Sequence, residues 1–206
     1  RRGPDPGQRL RHARRRVLPH LADREHRQTQ GGGVTDIQLV TTYLGLGSNL
    51  GKPEENLNEA LARLENYGAG SQLRKQAAIY WTEPQGLKDQ RWFASQVVEL
   101  AVDPEIWAPE GLLSTLLAIE AQMGRDRSAE APGGPRVIDL DLLLFGDLTA
   151  DTGFLTVPHP RLLTRAFMLV PLREIAPDLV LPGGVAVKTA LGALNHRLDG
   201  DRIWQD

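Results

Sequence analysis

The sequence predicts one α+β domain with a ferredoxin-like βαββαβ core, additional C-terminal helices and a single layered α/β/α arrangement. Segments rich in β-branched and apolar residues alternate with segments whose apolar residues recur at helical spacing. The order of these segments is that of the split βαβ motif. The length of 206 residues and the apolar fraction of 41% are typical of a globular domain.

Four strands and two helices make up the predicted core. The segment 37–46 is rich in β-branched and apolar residues and has glycine at its end, at positions 45 and 47, which is typical of a strand. Pro53 suits the first turn of a helix, and the apolar face that follows it ends near Gly68. A second helix is expected from Pro109 to Gly124. The other predicted elements are the strands 73–82, 92–102 and 137–145 and two covering helices, 162–176 and 187–198.

The first 33 residues differ in charge from the rest of the chain. They carry a net charge of +6, whereas the residues after them carry −8. They also lack the apolar periodicity needed to bury enough surface to offset the entropy of ordering. We therefore predict a disordered basic extension or linker at 1–33 and the folded domain at 34–206. An amphipathic transit peptide is the weaker alternative for the extension.

Composition and charge exclude several classes of protein. The sequence has no apolar run long enough to span a membrane, and no apolar segment of a secretory signal follows the N-terminal arginines. The absence of cysteine excludes disulfide scaffolds, thiolate catalysis and iron–sulfur clusters. An acidic domain also argues against generic nucleic-acid binding. We expect a cytoplasmic protein that binds neither nucleic acid nor membrane.

The strand predicted at 137–145 carries two carboxylates on one face. Successive strand residues point to opposite faces, so Asp139 and Asp141 lie side by side. Their face would also hold Val137, Leu143 and Phe145, and the opposite face Ile138, Leu140, Leu142 and Leu144. Two unpaired like charges on an otherwise apolar face would destabilise the fold. A bound Mg²⁺ would offset this repulsion, because Mg²⁺ binds one or two carboxylates together with substrate phosphates. The alternative is an edge strand whose outer face is simply hydrated.

Basic side chains surround this carboxylate pair in the sequence. Guanidinium groups bind phosphate oxygens bidentately, so a cluster of arginines beside a metal site predicts a polyphosphate ligand. For any single arginine, pairing with the acidic surface is the simpler interpretation; for the cluster, phosphate binding is favoured. The cluster comprises Arg125, Arg127, Arg136, His159, Arg161 and Arg165.

The glycine-rich loop 45–52 matches neither of two common nucleotide motifs. Pro53 occupies the Ser/Thr position of a Walker A loop, and the glycine spacing does not fit a dinucleotide fingerprint. The loop does permit close approach of the backbone to a flat ligand or an anion at a helix N-terminus.

Six motifs in the sequence together carry a resemblance to a known protein family. The most specific are GPRVIDLDLLLFGD (134–147) and VPHPRLLTRAFMLVPL (157–172). The others are YLGLGSNLG (43–51), TEPQG (82–86), GRDR (124–127) and EIAPDLVLPGG (174–184). Taken in chain order, the six segments resemble the 6-hydroxymethyl-7,8-dihydropterin pyrophosphokinase family of folate biosynthesis. The resemblance covers roughly 37–198 and leaves the first 33 residues without a counterpart.

The resemblance implies a reaction and its cofactor. ATP and the hydroxymethyl dihydropterin would be the substrates, and pyrophosphate would pass to the hydroxymethyl oxygen with release of AMP. Asp139 and Asp141 would hold two Mg²⁺ ions, and Arg125 and Arg136 would act on the phosphates as further catalytic residues. The expected ATP-binding residues are Arg125, Arg127 of a mobile lid, Arg136, His159, Arg161 and Arg165. The family also suggests a monomer.

The resemblance further implies a pterin site. Phe93 and Phe167 would sandwich the ring. The full set of expected pterin-binding residues is Gly47, Ser48, Asn49, Thr82, Glu83, Pro84, Gln85, Phe93, Ser95 and Phe167. Two positions depart from the family pattern: Ser95 stands where an asparagine is usual, which puts a bond to the pterin edge in doubt, and Gly133 replaces a lid tryptophan.

Two other classes of function are compatible with parts of this pattern. A metal-dependent nucleotidyl- or glycosyltransferase could also use a D-x-D pair on a nucleotide. A ferredoxin-like ligand-binding or regulatory module would need no carboxylate pair on the strand.

Overall fold

The computed structural model describes residues 38–67 and 69–205. The strands are β1 (Val40–Ser48), β2 (Ser71–Gln76), β3 (Tyr80–Thr82), β4 (Phe93–Val102), β5 (Asp139–Phe145), β6 (Ala150–Asp151), β7 (Thr156–Val157), β8 (His196–Asp199) and β9 (Arg202–Gln205). The helices are α1 (Pro53–Asn66), α2 (Pro109–Gln122), α3 (Ala166–Ile175) and α4 (Val187–Gly192), and a 3-10 turn at Leu162–Thr164 precedes α3.

A seven-stranded sheet forms the centre of the described fold. Its strand order is β5-β1-β4-β3-β9-β8, and β2 also pairs with β4. β1 lies antiparallel between β4 and β5, while β2 and β3 pair with successive parts of β4. This is the order of a split βαβ sheet, so the predicted ferredoxin-like core is confirmed. β9 adds to it by pairing parallel with β3.

Helices cover both faces of this sheet. Buried residues of α1 and α2, among them Leu57 and Leu112, form one core with β1, β4 and β5. Buried residues of α3 and α4, among them Leu169 and Val187, form a second core on the opposite face. The predicted α/β/α layering is therefore confirmed. Among the described residues, no helix is long and apolar enough to cross a membrane.

Three predicted elements differ from the structure. The strand expected at 73–82 is two strands, because the chain leaves the β-ladder at residues 77–79 and Ala77 turns its buried side chain into the second core. The helix expected at 162–176 begins at Ala166, after the separate 3-10 turn. The helix expected at 187–198 was wrong beyond Gly192, since residues 196–205 form a β-hairpin. The extension expected at 1–33 lies outside the described residues.

The alternation of side chains along β5 holds only as far as Leu143. A register shift in the pairing of β1 with β5 places Tyr43 opposite Leu144 and Leu44 opposite Leu142. A bulge of this kind reverses the alternation beyond it. Leu144 therefore joins the core beneath α3, and Phe145 joins the core beneath α1 and α2. The predicted faces of these two residues were wrong, and so was that of Val137, which packs against the same core as Ile138. The aspartates lie before the bulge, and their shared face is unaffected.

Candidate active site

Glycines lie opposite both aspartates on the sheet. In the pairing of β1 with β5, Gly47 faces Asp139 and Gly45 faces Asp141. A Cβ at Gly45 would lie 3.3 Å from a methyl group of Leu143, which is tighter than ordinary contact. Because the glycines add no side chains to this face, the sheet forms the floor of an open cavity of about 740 Å³. This volume is in the range of small-molecule sites.

The cavity brings together residues from distant parts of the sequence. Its lining includes both aspartates, all five predicted phosphate-binding arginines and His159. It also includes the predicted pterin residues Gly47, Thr82, Glu83, Gln85, Phe93, Ser95 and Phe167. Further lining residues, which the sequence analysis did not name individually as site residues, are Leu46, Gln96, Val97, Thr164 and Met168.

Asp139 lies among guanidinium groups. Arg125 donates a short hydrogen bond to its Oδ1, and Nη1 of Arg136 lies 2.8 Å from its Oδ2. Nη2 of Arg127 is 3.6 Å from Oδ1. Burial raises the pKa of Asp139, but the charges of Arg136 and Arg125 outweigh burial and hold the pKa below its usual range. Asp139 is therefore ionised at neutral pH.

Asp141 has a contrasting environment. Burial, together with the negative charge of Asp139, raises the pKa of Asp141 to about 7, although Arg165 opposes the shift. Its nearest basic neighbour is His159, whose Nε2 lies 3.8 Å from Oδ1 of Asp141. Burial and the charges of Arg165 and Arg161 lower the pKa of His159 to about 4, so this imidazole is neutral and does not neutralise the carboxylate.

The carboxylate pair fits a divalent cation. One group is ionised, and the second resists ionisation because of its neighbour and its burial, so a bound cation would stabilise both in the charged form. Among the described residues, no group of three or more His, Asp or Glu side chains could hold a metal ion. Two carboxylates with the remaining ligands from substrate and water is a typical arrangement for Mg²⁺.

Glu120 of α2 is a site residue that the sequence analysis missed. Its side chain is buried, and it accepts hydrogen bonds from Arg125 (2.7 Å) and from Arg127 (2.7 and 2.9 Å). It also accepts the backbone N–H of Leu140, between the two aspartates, at 2.7 Å. Glu120 thus fixes two arginines and the edge of β5 together. Its position four residues after Leu116, on the apolar face of α2, was the available signal.

A glycine- and proline-containing loop covers one side of the cavity. Residues 130–133 of this loop line the cavity. The Gln90 side chain donates to the Gly133 carbonyl at 2.7 Å and accepts from the Asn49 side chain at 2.9 Å. Glu130 accepts from Arg125 at 3.1 Å. The loop expected to act as a lid is therefore attached to residues on both sides of the site.

The predicted pterin residues fall into two groups. Phe93 and Phe167 line the cavity. Thr82 and Ser95 also line it, and their hydroxyl groups form a hydrogen bond with each other at 2.8 Å. In contrast, Pro84 and two residues of the glycine-rich loop do not appear in the lining. Those two are Ser48, which donates to the Val137 carbonyl at 2.6 Å, and Asn49, which accepts the backbone N–H of Arg136 at 2.8 Å.

The site therefore has two chemically distinct ends. One end presents arginines and carboxylates, which suit a polyphosphate with a divalent cation. The other presents two aromatic rings and a pair of hydroxyl groups, which suit a flat polar ring.

Comparison with known proteins finds relatives over most of the chain. The family model described as 7,8-dihydro-6-hydroxymethylpterin-pyrophosphokinase (HPPK) matches residues 43–177. A relative named 2-amino-4-hydroxy-6-hydroxymethyldihydropteridine pyrophosphokinase, from Methylorubrum extorquens, is 43% identical over 157 residues, which are 76% of this chain and 95% of the relative. The protein of the same name from Pseudomonas aeruginosa is 41% identical over 155 residues, 75% of this chain and 92% of the relative.

Solved structures show the same fold. A structure titled HPPK-DHPS in complex with substrates superposes with a TM-score of 0.60 and 14% identity, over 80% of this chain and 49% of that one. Wild-type HPPK-DHPS of Plasmodium falciparum gives a TM-score of 0.59 and 13% identity, over 80% of this chain and 50% of that one. The present chain spans about half the length of these proteins.

The family model and the curated relatives identify an enzyme of pyrophosphoryl transfer. The chain belongs to the 7,8-dihydro-6-hydroxymethylpterin-pyrophosphokinase family of folate synthesis.

Substitution of the two aspartates by asparagine should have opposite effects on Tm. In metal-free protein, Asp141→Asn should raise Tm at pH 8, because the folded state holds the pKa of Asp141 above its unfolded value and ionisation therefore destabilises the fold. The gain should shrink as pH falls from about 7 towards 4 and disappear at still lower pH, where Asp141 becomes protonated in the unfolded state as well. Asp139→Asn should lower Tm at pH 8, since it removes stabilising ion pairs.

Thermal unfolding in EDTA at pH 5 and pH 8 measures both effects, and each kcal/mol corresponds to roughly 2–4 °C in a domain of this size. A lower Tm for Asp141→Asn at pH 8 would contradict the electrostatic description.

Removal of the buried Glu120 carboxylate should destabilise the fold strongly. Glu120→Ala leaves Arg125 and the Leu140 N–H without this acceptor, and breaking a buried ion pair from one side costs about 3–5 kcal/mol. Glu110→Ala, at the exposed start of the same helix, is the matched control and should cost about 0.5 kcal/mol or less. Urea unfolding measures both, and equal free energies of unfolding for the two variants would contradict the assignment.

Proposed function

We propose that this chain transfers the pyrophosphoryl group of ATP to the hydroxymethyl oxygen of 6-hydroxymethyl-7,8-dihydropterin, using Mg²⁺ held by Asp139 and Asp141. The observation that carries the proposal is the pair of adjacent carboxylates on β5, facing two glycines and bordered by arginines. Bound Mg²⁺ would neutralise the triphosphate and make the hydroxyl group more acidic.

The arginines have a role both before and after substrate binds. Without ATP, Arg125 and Arg136 pair with Asp139. Phosphate oxygens offer these guanidinium groups alternative bidentate partners, and the exchange would free Asp139 for the cation. Glu120 keeps Arg125 and Arg127 near the same position during this exchange, because its hydrogen bonds to them do not involve Asp139.

The second group of basic residues lies near Asp141. Arg161, Arg165 and His159 line the cavity on this side, and the backbone N–H of His159 donates to the Leu143 carbonyl at 2.9 Å, which ties it to β5. The neutral imidazole can donate a hydrogen bond from one ring nitrogen to a phosphate oxygen without adding charge. We assign these three residues to the nucleotide.

The chemical step needs positioning and charge neutralisation. The hydroxymethyl oxygen attacks the β-phosphorus of ATP and forms a new P–O bond. The bond from that phosphorus to the oxygen shared with the α-phosphate breaks, and AMP leaves with the electron pair while the hydroxyl proton is released. Such in-line transfer requires the two substrates to be held together, which a cavity shared by both would provide.

The aromatic end of the cavity would hold the pterin ring. Phe93 and Phe167 can contact its faces, and each ring already has a guanidinium nearby, Arg136 at 5.5 Å and Arg165 at 5.1 Å. Thr82 and Ser95 would bond the polar edge of the ring. A serine hydroxyl is shorter than an asparagine amide and has fewer donors and acceptors, so a water molecule would complete this contact.

The loop 126–135 would close the phosphate end. This proposal is supported by two contacts of the loop: Gly133 accepts a hydrogen bond from Gln90, and Glu130 accepts one from Arg125. Closure would exclude water and limit hydrolysis of ATP. A monomer acting in the cytoplasm, without nucleic-acid or membrane partners, remains our prediction for the assembly and location.

Product analysis tests the reaction. Incubation of the full chain with ATP, Mg²⁺ and the hydroxymethyl dihydropterin should yield AMP and the pterin pyrophosphate in equal amounts, measured by ion-exchange chromatography and ³¹P NMR. Excess EDTA should abolish turnover, and added Mg²⁺ should restore it. A 6-methyl pterin, which lacks the hydroxyl group, is the control and should yield no AMP. Formation of ADP, or transfer to a sugar, would reject the proposal.

Substitution of the carboxylates tests the metal assignment. Asp139→Asn and Asp141→Asn should each lower kcat by about 10²–10³-fold or more, because each removes a charge that holds the cation. Asp147→Asn, at an exposed position just after β5, should leave kcat unchanged. Steady-state rates at several Mg²⁺ concentrations, with circular dichroism to verify folding, provide the measurement. Wild-type rates in either site variant would refute the assignment.

A further inference from the structure

The C-terminal strand β9 lies beside a segment that lines the cavity. β9 pairs parallel with β3, and the Glu83 N–H donates to the Ile203 carbonyl at 3.1 Å. The backbone of the first wall of the cavity, which we define as residues 82–86, is thus held from outside by β9. This pairing places the end of the hairpin 196–205 next to the site although the two are far apart in sequence.

The side chain of Gln205 contacts a second wall, which we define as residues 164–168. Its Oε1 accepts the Ala166 N–H at 2.7 Å, and its Nε2 donates to the Thr164 carbonyl at 2.7 Å. Ala166 is the first residue of α3, and the side chain of Arg165, which precedes it, does not cap the helix. Gln205 therefore supplies an N-terminal cap from a different element, with one hydrogen bond on each side of Arg165.

Both walls carry residues assigned above to substrates. Arg165 and Phe167 of the second wall line the cavity, and so does Gln85 of the first. The Gln85 side chain donates a long hydrogen bond, 3.4 Å, to the backbone carbonyl of Gln205. Gln205 is thus in contact with both walls, while it is not itself among the lining residues.

We propose that Gln205 is a positioning residue that sets the spacing between the two walls of the cavity, and thereby the fit of the pterin ring and the direction of Arg165. The inference rests on the proposed function, because the walls matter only if they hold these substrates. Apolar packing of α3 against the sheet fixes the helix in the core, but the Thr164 carbonyl and the Ala166 N–H lie at its end, where the amide of Gln205 determines their position.

The test compares two variants of the same hairpin. Gln205→Ala removes both hydrogen bonds to the second wall and should lower kcat/KM for the pterin about tenfold, mainly through KM, since small displacements in a site are costly. Arg197→Ala is the control: it removes a cation–π contact with Trp204, 3.9 Å from the guanidinium carbon to the ring centre, without touching either wall. It should lower Tm but leave kcat/KM within about twofold at a temperature well below Tm.

A conservative variant separates positioning from stability. Gln205→Glu keeps an acceptor for the Ala166 N–H and adds a negative charge at a helix N-terminus, so Tm should be preserved. It loses the donor to the Thr164 carbonyl, so kcat/KM should still fall several-fold. Unchanged kcat/KM in Gln205→Glu, or equal kcat/KM in Gln205→Ala and Arg197→Ala, would overturn the inference. Failure of the wild-type chain to form AMP would instead reject the proposed function.

Discussion

The close placement of two carboxylates on one strand is the electrostatic constraint on which the site depends. Asp139 and Asp141 share a face of β5, and burial there would make a doubly charged pair unfavourable without cations. The protein satisfies the first carboxylate with Arg125 and Arg136 and leaves the second with a raised pKa. Because only one of the two neighbouring acids is paired with arginine, the pair would be stabilised by further positive charge, and this is the physical basis on which we propose Mg²⁺.

Backbone geometry makes this arrangement possible. The aspartates require a partner strand whose residues leave room above them, and β1 provides glycine at both opposing positions. Because β5 is an edge strand, its outward N–H groups need partners that no strand supplies, and Glu120 accepts the one at Leu140. The same carboxylate fixes two arginines. One buried side chain thus links the stability of the sheet edge to the charge distribution of the site.

Local sequence patterns predicted those features that depend on interactions between residues close together in the sequence. The alternation of side chains placed both aspartates on one face, and proline at the first turn marked the start of α1 and α2. The bulge that reverses Leu144 and Phe145 was not predictable from alternation, since it arises from the register against β1. The hairpin 196–205 was missed for a similar reason: its strands are four residues each, and pairing with β3 stabilises them.

The candidate site shows the same division between local and distant information. Some motif residues, such as Thr82 and Phe93, line the cavity because they belong to strands at its wall. Asn49, which stays a predicted pterin residue, lies within a motif but outside the cavity lining: its amide joins the end of β1 to Gln90 and to the backbone of Arg136. Hydrogen bonds of this kind depend on contacts between segments that are distant in sequence. Such contacts are difficult to predict from a single sequence. It follows that the residues most easily missed in a site of this kind are the ones that hold its walls from behind.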